Sequence, residues 1–182
     1  MLIMMAGLPG SGKSTLSRAL AQRCGGIVLD KDSLRAALFP PEHIEYSREQ
    51  DDFCQQLMLA AAEYLLSRSP KLRIFLDGRP FSRRYQRAQV EAAATRLRTP
   101  LAIIECVCSD PTALVRLQRD HRTRAHPAAN RNRDLYAQLK NEFEPLTEPR
   151  LTVETDQPLP ECVRQAEAYV ERISQDSSSG QN

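Results

Sequence analysis

The stretch Gly7-Leu8-Pro9-Gly10-Ser11-Gly12-Lys13-Ser14-Thr15 decides how the rest of the chain is read. It fits G-x-x-x-x-G-K-[ST], a pattern that means phosphate binding only when a strand leads into it and a helix leaves it. Both flanks are present: Leu2-Ile3-Met4-Met5 is a short apolar run, and Thr15-Leu16-Ser17-Arg18-Ala19-Leu20 reads as helix. Gly7, Gly10 and Gly12 let the backbone turn its N–H groups inward as an anion nest. The start of the helix adds its positive end. Lys13 supplies a mobile charge for the β- and γ-phosphates, and the Ser14 hydroxyl is a ligand for Mg²⁺. Pro9, Ser11 and Thr15 complete the expected ATP-binding loop.

Outward from the loop, strand and helix signals alternate. Ile27-Val28-Leu29, Arg73-Ile74-Phe75-Leu76, Leu101 to Val107 and Leu151-Thr152-Val153 read as four further short strands. Helices are expected from Lys13 to about Gln22, from near Ser33, from Gln50 to Leu66 and from Arg84 to Leu97. Another opens at Asp110-Pro111, with Asp as cap and Pro at the first position. Leu135, Leu139, Phe143 and Leu146 mark a further helix, and Val163, Ala166, Val170 and Ile173 the last. Short continuous apolar strands, each followed by a helix, imply an α/β fold: a five-stranded parallel sheet covered on both faces. Residues 1–173 form one domain in this reading. The polar stretch 174–182 has no apolar anchors and is expected to be disordered.

Bulk properties set the bounds. At 182 residues the chain is long enough for one full α/β domain. A net charge of +2 makes any attraction to nucleic acid local rather than global. The five cysteines include no metal-type pair, and their odd number argues for reduced thiols in a cytoplasmic protein. No signal peptide is readable before the glycine loop, and no apolar run reaches membrane-spanning length. The histidines His43, His121 and His126 read as surface residues, with no catalytic or metal role.

In parallel sheets ligands bind at the carboxyl ends of strands, so the residues just after each strand are the candidates. After strand two come Asp30 and Asp32. A carboxylate there can orient an acceptor hydroxyl and take its proton; alternatively one of the two caps the following helix. Arg35 lies one turn beyond Asp32, placed to hold an anionic acceptor or to face solvent. Asp77 ends strand three, where a carboxylate holds Mg²⁺ directly or through water, orients the acceptor, or merely serves the turn before Gly78. Arg79 follows, then Arg83, Arg84 and Arg87, a cluster suited to a phosphorylated or carboxylated acceptor. After strand four, Arg116, Arg119, Arg122 and Arg124 lie in a segment, about 116–133, that reads as an arginine lid closing over ATP.

The chain lacks the Asn-Lys-x-Asp element of GTPases and the Leu-Ser-Gly-Gly-Gln signature of ABC-type ATPases. It resembles instead the small P-loop kinases related to polynucleotide 5′-kinases, zeta toxins and chloramphenicol phosphotransferase, a group of AAA-type ATP-binding kinase-like proteins. The resemblance runs from Leu2 to about Leu146. Its carriers are GLPGSGKST at Gly7 to Thr15, LDKDSLR at Leu29 to Arg35, FLDGRPFSRR at Phe75 to Arg84 and the arginine-rich stretch Arg116 to Arg133. The resemblance implies ATP and Mg²⁺ as cofactors, Asp32 as catalytic aspartate, and an arginine after strand four, matched best by Arg119 or Arg116, over the phosphates. From their positions after the strands, Arg35, Asp77 and Arg79 are the acceptor-side candidates, Arg79 because it directly follows Asp77-Gly78. Leu29-Asp30-Lys31-Asp32 is similar to the LDGDN element of adenylylsulfate kinases, but the glycine and asparagine of that element are missing.

The expected activity is transfer of the γ-phosphate of ATP to a hydroxyl of a small molecule, an anionic metabolite, nucleotide or antibiotic among the options. The alternatives are a polynucleotide 5′-hydroxyl kinase and, in a different class, an ATP-binding regulatory NTPase. Aromatic content of 5% speaks against extended single-strand tracking, which needs stacking platforms. The acceptor pocket is expected to form mostly from Phe39 to Asp52 and the helix after it.

Overall fold

The structure is a computed structural model that describes residues 1–123, 132–146 and 148–179. Five strands, β1 (Leu2–Ala6), β2 (Gly26–Asp30), β3 (Arg73–Asp77), β4 (Leu101–Val107) and β5 (Leu151–Glu154), form one sheet in the order β2-β3-β1-β4-β5. Every pairing is parallel; Ile3 stands opposite Phe75 on one side and Ala102 on the other. The helices are α1 (Lys13–Cys24), α2 (Lys31–Leu38), α3 (Arg48–Arg68), α4 (Arg84–Arg96), α5 (Asp110–Thr123), α6 (Arg133–Glu142) and α7 (Leu159–Ser179).

Alternation along β1 builds two cores. Ile3 and Met5 point to one face and pack with Leu16 and Leu20 of α1 and Ala166 and Val170 of α7. Leu2 and Met4 point to the other and meet Met58 and Ala62 of α3 and Val90 and Ala93 of α4. All of β1 is buried, which a strand central to a sheet covered on both faces requires. Because every strand runs the same way, the turns after β1, β2, β3 and β4 gather on one edge of the sheet.

Three expectations are corrected. First, α6 stops at Glu142, and Phe143 is extended (φ −73°, ψ 110°) rather than helical. Pro145 disfavours helix at the residue before it, and the freed segment drops Leu146 into the α3–α4 core, with Phe143 packed against it. Second, α7 runs through Ser179, so residues 174–179, expected to be disordered, are helical. Once the anchored stripe has nucleated a helix, each added residue costs little. Residues 180–182 lie outside the described residues. Third, α2 begins at Lys31, earlier than near Ser33, with Asp30 as its cap. Of the expected lid, Arg116, Arg119 and Arg122 lie in α5, while Arg124 and His126 fall outside the described residues. Among the described residues no helix is long and apolar enough to cross a membrane.

Candidate active site

The glycine loop connects β1 to α1 and is braced from three sides. Gly7 N–H donates to Pro80 O at 3.0 Å, joining the loop to the turn after β3. A Cβ on Gly7 would stand 2.2 Å from Cys106 O, and one on Gly10 would stand 2.6 Å from Ala113 O, so neither position has room for a side chain. Thr155, just past β5, donates its hydroxyl to Ser11 O at 2.8 Å. Arg116 donates to Gly10 O at 3.3 Å and to Thr155 O at 2.7 Å. Thr155 is a loop-bracing residue that the sequence reading missed; a lone threonine after a strand carries no local signal. Lys13 is buried and its Nζ donates to Leu8 O at 2.8 Å, across the mouth of the loop.

A cleft of about 420 Å³ opens over the loop. Gly12, Lys13, Thr15, Arg116 and Arg119 are among its lining residues, which brings the loop and two of the expected lid arginines together. Its volume falls within the range of about 300–1,000 Å³ typical of small-ligand sites.

Asp77 closes β3 and is fully buried. Its Oδ2 accepts from Ser17 Oγ of α1 at 3.1 Å, and that hydroxyl lies 3.3 Å from Ser14 O. Its Oδ1 is buried with no hydrogen-bond partner. An orphaned carboxylate oxygen beside the Ser14 turn fits a hard cation such as Mg²⁺, which prefers a few oxygen donors plus phosphate and water. Among the described residues no group of three or more His, Cys, Asp or Glu could hold a metal ion on its own.

A second cleft, of about 240 Å³, lies on the other side of Lys13 and Ser14 and shares both with the first. Its floor is the start of α2. Asp30 Oδ1 accepts the Ser33 N–H at 2.7 Å, so Asp30 is the cap and Asp32 is released from that role. Asp32 is 6% exposed and pairs through Oδ1 with Arg35 at 2.8 Å and Lys31 at 3.4 Å. Gly78 adopts φ 84° and lets the turn after β3 pack against the Lys31 backbone.

The other walls were only partly legible. From the expected Phe39–Asp52 segment come Tyr46, Arg48 and Asp51. Asp51 Oδ1 accepts from Lys31 Nζ at 2.7 Å and also pairs with Arg35, whose guanidinium lies 5.1 Å over the Tyr46 ring. Arg79 reaches toward α3: it pairs with Asp52 and donates to Gln55 Oε1 at 2.7 Å. Asp51 and Asp52 lie in the expected segment and Gln55 on the helix after it, but no individual role for them was foreseen. α6 supplies the last wall through Leu135, Gln138, Leu139 and Glu142, where the sequence marks only a helix. Glu142 bridges Arg83 at 2.5 Å and Arg48 at 3.3 Å. The Gln138 hydrogen bond, then Arg83 and Arg48, hold its carboxyl below the usual carboxylate range. Burial pulls the Lys31 ammonium down to about 8.

The cluster after β3 divides. Arg83 faces the second cleft. Arg87 instead donates to Phe81 O at 3.0 Å, Pro145 O at 2.9 Å and Glu144 O at 3.3 Å, a structural clasp. Phe81 has φ 54° with its ring buried, a strained conformation that this clasp helps hold. His43 meets its neighbours through its backbone: its N–H donates to Pro40 O at 2.9 Å and its carbonyl accepts from Gln50 Nε2 at 2.8 Å.

Comparison with known proteins places this geometry. The family model for the AAA domain matches residues 2–146. No curated protein sequence matches the chain. Among solved structures, a gluconokinase from Sinorhizobium meliloti 1021 superposes with a TM-score of 0.68 at 22% identity, covering 99% of this chain and 97% of that one. The APS kinase of Mycobacterium tuberculosis in complex with AMPPNP and APS gives 0.69 at 16% identity, over 93% and 96%. Chaetomium thermophilum Kti12 in complex with ADP-AlF3 gives 0.70 at 19%, over 95% and 98%. These likenesses establish a shared fold, and the match over residues 2–146 establishes the family: the chain belongs to the AAA domain family, as a small P-loop protein with a kinase-like fold.

Proposed function

We propose that the protein is an ATP-dependent kinase that transfers the γ-phosphate to a hydroxyl of a small molecule. One observation carries this reading. Two clefts meet at Lys13 and Ser14, one lined by the glycine loop and α5 arginines, the other holding Asp32. A nucleotide hydrolase needs only the first. The fold neighbours support it: one is a gluconokinase, one an APS kinase with AMPPNP and APS bound.

The chemistry follows from the residues. ATP lies in the larger cleft with its phosphates against the loop N–H groups. The acceptor hydroxyl sits in the smaller cleft beside Asp32. Both contacts of Asp32 end on Oδ1, which leaves Oδ2 to receive the hydroxyl proton. The acceptor oxygen forms its bond to the γ-phosphorus as the bond to the β,γ-bridging oxygen breaks, and ADP leaves with the electron pair. Lys13 and Arg119 stabilise the charge spread over the transferring group. Mg²⁺ held toward Ser14 and Asp77 would supply further neutralisation of the phosphates.

The test is incubation with γ-labelled ATP and a panel of hydroxyl acceptors: sugars, aminocyclitols, amino acids, nucleosides and 5′-hydroxyl oligonucleotides. Label on a small molecule is the expected result. Label on oligonucleotides alone would replace the small-molecule reading with a polynucleotide 5′-kinase. ATP loss with no labelled acceptor would replace it with a regulatory NTPase.

A further inference from the structure

The smaller cleft carries more cations than carboxylates: Lys13, Lys31, Arg35, Arg48, Arg79 and Arg83 line it, against Asp32, Asp51 and Glu142. A carboxylate in such company is readily claimed on both oxygens, and a guanidinium favours the two-pronged pairing that does so. Asp32 escapes this. Its two ion pairs, with Arg35 at 2.8 Å and Lys31 at 3.4 Å, both end on Oδ1. Three of the other cations are held by partners of their own: Arg79 by Asp52 and Gln55, Arg48 and Arg83 by Glu142. Lys13 donates to Leu8 O.

Asp51, in the first turn of α3, draws on the two that remain. Arg35 divides its prongs instead of giving both to Asp32: Nη1 donates to Asp32 Oδ1 and Nη2 to Asp51 Oδ1. Lys31 Nζ donates to Asp51 Oδ1 at 2.7 Å, shorter than its 3.4 Å contact with Asp32, so Asp51 takes the stronger share. Arg35 Nε is buried with no hydrogen-bond partner among the described residues, so the two carboxylates and the Tyr46 ring, 5.1 Å away, orient the guanidinium. Lys31, Asp32 and Arg35 are 5%, 6% and 2% exposed, and contacts so far out of water are weakly screened. With the Asp51 charge gone, Asp32 is the remaining ion-pair partner of Lys31, and its open oxygen is where the ammonium would go.

We infer that Asp51 is a positioning residue: by holding Lys31 and one prong of Arg35, it keeps Oδ2 of Asp32 open to take the proton of the acceptor hydroxyl. The inference rests on the kinase reading with Asp32 as base, and deepens it. The proton passes from the acceptor oxygen to Asp32 Oδ2 as that oxygen bonds to phosphorus, and Asp51 neither gains nor loses one.

The experiment measures label transfer from γ-labelled ATP by the full chain, with kcat and the two KM values determined separately. The acceptor is the member of the panel above that the wild type labels with the highest kcat/KM. Asp51→Asn keeps an oxygen for Arg35 but offers no charge to Lys31, and should lower kcat about tenfold. Asp51→Ala also frees the Arg35 prong and should lower kcat about 100-fold, the lower end of a general base's share. KM for ATP and for the acceptor should stay within about twofold in both. Adding Lys31→Met to Asp51→Asn removes the competing ammonium and should recover most of the lost kcat. A merely structural role for Asp51 would give no such recovery, and its absence overturns the inference. So does an unchanged kcat in Asp51→Ala, or a raised acceptor KM at wild-type kcat, which would make Asp51 an acceptor contact. All three outcomes leave the kinase reading standing. If Asp51→Asn does not fold, the double variant decides alone: kcat more than about tenfold above that of Asp32→Asn supports the inference, and anything lower overturns it. A wild type that labels no acceptor removes the kinase reading, and the inference with it.

Discussion

The Ser17 hydroxyl donates to Asp77 Oδ2 across 3.1 Å, tying α1 to the end of β3 directly beneath the glycine loop. The bond satisfies one oxygen of a fully buried carboxylate and leaves Oδ1 without a partner. A buried carboxylate oxygen without a partner is costly, and a cation arriving with ATP would relieve it. Mg²⁺ with ATP should therefore raise Tm more than ATP with EDTA, and Asp77→Asn should erase that increment while keeping the Ser17 bond geometry. Differential scanning fluorimetry of the two proteins measures both. An increment that survives in Asp77→Asn removes Asp77 from the metal site.

Lys13 is held at the loop mouth by Leu8 O at 2.8 Å, so it is poised over the loop before any nucleotide arrives. It lines both clefts. Lys13→Ala should abolish ATP-dependent transfer and the ATP-induced rise in Tm, with an unchanged far-UV CD spectrum. Retained transfer would mean that the phosphates sit elsewhere.

Asp32 is freed of helix capping by Asp30 and lines the smaller cleft, but its Oδ1 also anchors Arg35. The asparagine variant keeps that hydrogen-bonding shape and loses basicity. Asp32→Asn should leave the Kd for ATP within a few-fold and lower kcat by about 10²–10⁴, the usual share of a general base. Normal kcat with collapsed ATP affinity would assign Asp32 to nucleotide binding instead.

The contrast between these residues shows where local sequence signals end. The strand-loop-helix order around Gly7–Ser14 is written in consecutive residues, and the sheet and its strand-end acids follow from it. The choice between Asp30 and Asp32 was open because both lie within one turn of the helix start expected near Ser33; only the Ser33 N–H, which Asp30 accepts, separates them. Asp51, Asp52 and Glu142 were invisible because an acid on a polar helix face looks the same whether it meets water or a buried guanidinium. Thr155 lies 144 positions from its partner Ser11, a separation no pattern spans. The wall formed by α6 was masked by its own apolar spacing, since Leu135 and Leu139 fit a core stripe and a cleft lining equally well.

Arg87 belonged to a cluster that looked like anion-binding chemistry, yet its guanidinium is spent on three backbone carbonyls. Charged donors to buried acceptors stabilise by roughly 1.5–3 kcal/mol each in favourable cases, with strong non-additivity. Arg87→Ala should lower stability by about 2–4 kcal/mol in urea denaturation. It should leave the acceptor KM of the folded fraction unchanged. A change in KM at unaltered stability would return Arg87 to the acceptor site.

Lys31 gives the fold a pH signature with a definite sign. Burial lowers its pKa from the ordinary 10.5 to about 8. Between those values the unfolded chain binds the proton and the folded chain releases it, so this group makes stability rise with pH. Its contribution is complete above 10.5 and is lost as pH falls through 8. The full swing corresponds to about 3 kcal/mol. Cys106 acts the other way: burial pushes its thiol up to about 12, so its contribution declines as pH rises above the ordinary 9. Comparing wild type with Lys31→Met cancels the cysteine, because both proteins carry it. The difference in unfolding free energy, wild type minus variant, should therefore climb between pH 8 and 10. A flat difference would show that the Asp32 and Asp51 carboxylates fully offset the burial of this ammonium.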